Sequence, residues 1–189
     1  MKLITYENIF TEIESLLTKK KRMVIAIDGG ACSGKTTLAA ELQKRYGAAV
    51  IHTDDFFLRP EQRTPERFAE IGGNFDRERF FSEVLLPLSK KENFSYQRFD
   101  CHTMTLSEKI EVPAVPLTII EGSYSHHPFF DGFYDLWIFL SISAEKQKER
   151  ILNRDGTYAD MFFSRWIPFE NEYFRTFSIE KMANFVICV

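Results

Sequence analysis

Gly29-Gly30-Ala31-Cys32-Ser33-Gly34-Lys35-Thr36 decides how the rest of the chain is read. It fits the G-x-x-x-x-G-K-[ST] pattern of a phosphate-binding loop. Met23 to Asp28, just before it, is a short apolar run rich in β-branched residues, which reads as a buried strand. Leu38, Ala39, Leu42 and Tyr46, just after it, fall at helical spacing. Strand, glycine loop and helix therefore stand in the required order. Gly29, Gly30 and Gly34 free the backbone to aim successive N–H groups at one anion. The helix that follows adds its positive N-terminal end. Lys35 is placed to reach the β- and γ-phosphates of a nucleotide, and Thr36 to offer a hydroxyl to Mg²⁺. The bland alternative, a glycine-rich turn that binds nothing, does not call for this flanking pattern.

A chain of 189 residues is long enough for one α/β domain with its own core and short for two. Its net charge of −3 gives no broad cationic face for nucleic acid or an anionic membrane, so phosphate affinity has to be local. Polar and acidic residues enter by Thr5 and Glu7, too early for a signal peptide. No apolar run nears the roughly 20 residues that span a bilayer. Cys32, Cys101 and Cys188 are odd in number and lack C-x-x-C spacing. That argues against a disulfide framework or zinc and for a reducing cytoplasm. Cys32 reads as a small residue that fits the loop rather than as an activated thiol.

Strands alternate with helices along the chain. Residues 5–19 predict a helix with Thr5 as its N-cap, and 48–53 a second buried strand running into Asp54-Asp55-Phe56-Phe57. Residues 58–76 read as a loop with about one helical turn. Residues 77–89 read as an amphipathic helix that Pro87 ends or kinks. Residues 94–99 and 109–112 suggest a hairpin outside the main sheet. Strands follow at 117–120, 134–142 and 185–189, with a charged helix at 144–154 and helix on either side of Pro168. The expected fold is α/β: a mostly parallel sheet sandwiched between helices in three layers. The chain is expected to be one domain over 1–189. Within it, 1–22 forms an N-terminal helix, about 55–112 an acceptor-binding insertion, and about 144–176 a helical lid with the helix after it.

Ligands in such sheets bind beyond the carboxyl ends of the strands. Two further strands end in acids there, at Asp54-Asp55 and Glu121. Beside a phosphate loop, acids at these places suit Mg²⁺ and a hydroxyl that must lose its proton. Gly29 to Thr37, Asp54-Asp55-Phe56-Phe57, Asn74-Phe75-Asp76, Phe99-Asp100, Glu121-Gly122 and Arg150-x-x-x-Arg154 occur in the same order as in the uridine kinase and phosphoribulokinase family. The chain resembles that family from about Met23 onward.

The resemblance implies a P-loop NTPase fold that transfers the γ-phosphate of ATP, with Mg²⁺, to an alcohol. Asp54 would take the proton of the attacking hydroxyl, and Asp76 would hold vicinal hydroxyls of the acceptor. Thr36 and Glu121 would position Mg²⁺, and Arg150 and Arg154 would close over the triphosphate. Phe57, Phe99 and His102 would face the acceptor. The pattern departs from uridine kinases at Phe57 and at Phe99-Asp100-Cys101-His102-Thr103-Met104, where no His-x-Arg follows. The acceptor is therefore a nucleoside or another sugar-like, vitamin-like or monophosphate alcohol. A nucleotide-binding switch or assembly factor is the rival of another class, and no Asn-Lys-x-Asp base-reading motif supports it. Asp76 has a second reading, as cap of the helix that begins near Arg77. His126-His127 reads as surface loop, Trp137 and Trp166 as core, and oligomeric state, homo-oligomer included, stays open.

Overall fold

A computed structural model describes residues 2–3 and 6–189 of the chain. The expected Thr5 cap lies outside the described residues. Six strands form one fully parallel sheet: β1 (Lys2–Leu3), β2 (Met23–Gly29), β3 (Ala49–His52), β6 (Leu117–Glu121), β7 (Leu136–Ser141) and β8 (Phe185–Cys188). Their spatial order is β1-β8-β7-β2-β6-β3. Central β2, the strand before the phosphate loop, pairs with β6 and β7. A separate antiparallel pair, β4 (Phe94–Asp100) and β5 (Thr105–Val112), forms the expected hairpin. The second strand is longer than predicted.

The side chains of the sheet alternate with the two-residue period of a strand and build a core on each face. Ile25 and Ile27, Leu117 and Ile119, and Ile138 and Leu140 pack on one side against Ile9 and Ile13 of α1 (Tyr6–Lys19) and Leu38 and Leu42 of α2 (Lys35–Tyr46). Ile51, Ile120, Phe139 and Val186 face the other side, where Phe56, Phe75, Phe80, Phe130 and Tyr173 meet. The rings of Phe80 and Phe130 lie 5.1 Å apart, and those of Phe56 and Phe80 also 5.1 Å. Truncating a ring buried this way costs about 3–5 kcal/mol. The result is the expected three-layer α/β sandwich.

Short helices α3 (Pro65–Ala69) and α4 (Arg77–Phe80) precede the hairpin. The predicted helix over 77–89 does not stop at Pro87. It widens into one π-helical stretch, Phe81–Leu85, and continues as α5 (Leu86–Lys90). The same happens after α6 (Ala144–Asp155) and α7 (Ala159–Met161): Phe162–Trp166 is π-helical and leads into α8 (Ile167–Thr176). Leu86 N–H reaches Phe81 O, and Ile167 N–H reaches Phe162 O, each just before a proline. A proline ring collides with the carbonyl four residues back, and a wider turn moves that carbonyl aside. Helix α9 (Ile179–Met182) completes the chain before β8.

Two readings are corrected here. His126 and His127 are buried, at 1% and 8% exposure, because the loop after β6 folds under α8. His126 stacks on Trp137 at 4.2 Å and His127 on Tyr173 at 6.1 Å. Burial holds both imidazoles neutral, with pKa values lowered to about 3 and about 4. Trp166 is only partly buried and lines a cavity instead of the core. Among the described residues the three cysteines are free, and no helix is long and apolar enough to cross a membrane.

Candidate active site

The carboxyl ends of β2, β3 and β6 open into one cavity of about 670 Å³. The phosphate loop forms its floor. Gly29 has φ +146°, and a Cβ there would come within 2.4 Å of Leu140 O on β7, so the strand can leave the sheet at this point only as glycine. Cys32 takes a left-handed φ of 58°. Burial raises its thiol pKa, which leaves it a packing residue rather than a nucleophile. Lys35 donates from Nζ to Gly29 O (2.8 Å) and Gly30 O (3.0 Å), holding the ammonium over the loop. Ala31, Cys32, Gly34, Lys35, Thr36 and Thr37 all line the cavity; Ser33 is buried inside the turn.

Register brings the acids together. Glu121 at the end of β6 lies beside His52 of β3 and Ile27 of β2. Its carboxylate accepts from Thr36 Oγ1 (3.1 Å) and sits 2.5 Å from His52 Nδ1. That contact raises the imidazole pKa. Gly122 follows with φ +131°, where a Cβ would fall 1.9 Å from Thr53 Oγ1. The chain after β3 winds as a 3₁₀ turn, Thr53–Phe56, which parts the two neighbouring acids. Asp54 opens into the cavity. Asp55 is buried and engaged by Tyr96 Oη (2.7 Å) and Arg98 Nε (2.8 Å). Enclosure by the cavity walls raises the Asp54 pKa; Lys35 opposes this, while Glu121 and Glu170 reinforce it.

Helix α6 brings Arg150 and Arg154 to the same cavity. Arg150 donates to Cys32 O of the loop (3.0 Å). Arg154 bonds Asp155 (2.9 Å) and lies over the Phe162 ring at 5.2 Å. Phe57 is here too, facing Trp166 with ring centroids 6.4 Å apart and planes 24° from parallel. Phe99 is packed inside the hairpin beneath the Arg63 guanidinium, and His102 is exposed at the hairpin tip. Neither lines the cavity, although Cys101 and Met104 beside His102 do.

Asp76 is not among the lining residues either. It is 1% exposed, caps α4 by accepting from Arg79 N (3.1 Å), and accepts from Gln62 Nε2 (2.8 Å). The structure thus gives it the capping role, with each carboxylate oxygen engaged within the fold.

Three groups escaped the sequence reading. Glu170 of α8 is buried, accepts from Ala31 N in the loop (2.9 Å) and from Ser123 Oγ (2.6 Å), and lines the cavity. Asp28 is wholly buried behind the loop, where Gly29 N, His126 N and Tyr173 Oη donate to it, and desolvation raises its pKa to about 6. Arg63 reaches the cavity from the loop before α3. Asp28 alone carried a visible signal, as the acid that ends the first apolar strand.

The donors fit Mg²⁺. A hydroxyl and a carboxylate oxygen meet at Thr36 and Glu121, both of the hard type that this ion takes. Among the described residues no group of three or more His, Cys, Asp or Glu forms an all-protein cage. Magnesium characteristically keeps waters and phosphate oxygens for its remaining positions.

No protein-family model matches the chain. The uridine kinase of Mycoplasma pneumoniae is 27% identical over 183 residues, which cover 88% of this chain and 83% of that protein. Human nicotinamide riboside kinase 1 is 31% identical over 138 residues, covering 69% of this chain and 64% of that protein. A solved structure described as a possible uridine kinase from Bacillus stearothermophilus superposes with a TM-score of 0.68 at 22% identity, covering 95% of this chain and 99% of that one. That likeness speaks for the fold, and the two relatives speak for the chemistry. The chain is similar in sequence to uridine kinases and to a nicotinamide riboside kinase, and these relatives support a P-loop small-molecule kinase.

Proposed function

We propose that the protein transfers the γ-phosphoryl group of ATP, with Mg²⁺, to a hydroxyl of a nucleoside. The observation that carries this reading is Asp54, a carboxylate set free into the cavity that Lys35, Thr36 and Glu121 share, while neighbouring Asp55 is consumed by the fold. A raised pKa makes Asp54 a stronger base for a hydroxyl proton, and Lys35 offsets part of the rise. The loop amides and the Lys35 ammonium, released from Gly29 O and Gly30 O, would hold the phosphates in line with the acceptor. Thr36 and Glu121 would hold Mg²⁺, which when bound neutralises charge on the phosphate oxygens. Arg150 and Arg154 would meet the charge of the transferring group as α6 closes and excludes water.

Phe57 and Trp166 favour a nucleoside over an aliphatic alcohol. Both rings line the cavity, with centroids 6.4 Å apart and planes 24° from parallel, and offer it aromatic faces on which a flat ring can stack. The named activities of the relatives, on uridine and nicotinamide riboside, agree with such an acceptor. The test is ADP release by purified protein over a panel of nucleosides and sugar alcohols, with and without Mg²⁺. Turnover of a nucleoside is expected, and turnover of sugar alcohols alone would overturn the nucleoside reading.

A further inference from the structure

Arg63 stands out among the six arginines from Arg59 to Arg98. Arg59, Arg67, Arg77, Arg79 and Arg98 are each within 4 Å of a carboxylate. Arg63 has no carboxylate partner among the described residues, yet it lines the cavity. Its Nε donates to Leu58 O (2.9 Å), which ties it to the residue after Phe57. The Phe99 ring lies 5.8 Å from the centre of its guanidinium. One edge of a rigid fork is thereby fixed near Phe57, while its two terminal nitrogens have no protein acceptor among the described residues. A cation kept unpaired in a partly enclosed site is stabilised by a ligand that brings oxygen lone pairs.

We propose that Arg63 reads the acceptor, donating its terminal N–H groups to an oxygen on the edge of a flat ring stacked on the aromatic wall that Phe57 and Trp166 give the cavity. This rests on the nucleoside reading above and narrows it to rings that carry an oxo group or a carboxylate at that edge, against rings that present an amino group. The physical ground is asymmetric cost. A donor fork meeting an oxygen makes one or two charge-assisted bonds, whereas meeting an amino group leaves it desolvated and unpaired.

The experiment compares four acceptors under saturating ATP and Mg²⁺: uridine, cytidine, and pyridine ribosides bearing a ring carboxylate or a ring carboxamide. Wild type is expected to prefer an oxygen-edged ring to cytidine by at least about tenfold in kcat/KM. A lead for uridine or the carboxamide marks an oxo ligand, and a lead for the carboxylate marks an anionic one. Arg63→Gln is expected to raise the preferred acceptor's KM about tenfold or more and to erase the preference, with kcat and the KM for ATP nearly unchanged. Arg63→Lys keeps the charge and loses the fork, so it should recover part of the binding and little of the selectivity. Thermal unfolding of both variants near the wild-type midpoint establishes that they fold. Nucleoside turnover with an unchanged acceptor KM and preference in both variants overturns the role of Arg63 and leaves the nucleoside reading standing. Turnover of none of the four by wild type overturns the nucleoside reading, and this inference with it.

Discussion

Asp54 and Asp55 are neighbours with opposite fates, and substitution separates them. Asp54→Asn is expected to lower kcat by roughly 10²-fold or more with ATP affinity kept, the scale of a positioned base. Asp55→Asn breaks the ion pair with Arg98 and weakens the acceptor of Tyr96 Oη, so its effect should appear as a lowered unfolding midpoint. Saturating-acceptor kinetics and thermal melts on both variants decide between them, and a larger kcat loss at Asp55 would reverse the assignment. A base must be ionised to act, and the Asp54 pKa is raised. The acid limb of kcat/KM is therefore expected above the ordinary carboxylate range. Asp28 gives a pH test of stability. Its pKa goes from 3.8 when unfolded to about 6 when folded, so the folded state holds the proton more tightly. Its contribution is fully present below about pH 4 and is lost as pH rises through 6, an amount of up to about 3 kcal/mol by linkage. Asp28→Asn has no such titration, so urea unfolding at pH 4 and pH 7 should show wild type losing ground to the variant at the higher pH.

At the scale of the element, the proposed closure of α6 gives the sharpest test. Arg150→Lys and Arg154→Lys keep the charge and lose the planar fork, so each should cut kcat well below wild type; unchanged rates would reduce both to surface ions. The segment after α7 shows why part of the site was hidden in the sequence. Phe162, Trp166 and Glu170, spaced four apart, all line the cavity, and nothing in that spacing tells a cavity-facing stripe from a core-facing one. Glycines, Lys35 and the strand-end acids were legible because local order suffices to place them. Asp76 carried two readings from the same residues, and only the packing of Gln62 and Arg79 around it separates them. His126 and His127 looked exposed because nothing within their loop announces that α8 will cover it. The two-residue β1 pairs with β8 at the far end of the chain, a partnership with no local signature.

For the molecule as a whole, nucleotide binding and folding are linked. A ligand that binds the folded state at 100 times its Kd adds about 2.7 kcal/mol of stability. For a chain of this length, ATP with Mg²⁺ is therefore expected to raise the melting temperature by about 5–10 °C. Lys35→Ala should fold and lose both that shift and turnover, and a Lys35→Ala variant with wild-type rates would remove the phosphate loop from the mechanism. Glu170 has a consequence of another kind. It is an anion built into an anion site, resting on the Ala31 amide that a nucleotide phosphate would otherwise claim. Like charges held close would lower affinity for every phosphorylated occupant, spent nucleotide included, and so favour quick discharge over tight capture. Glu170→Gln retains an oxygen for the same amide and drops the charge. It is expected to hold ADP more tightly and to turn over more slowly wherever departure of product sets the pace. A resting carboxylate in the loop would then act as the ejector of the catalytic cycle.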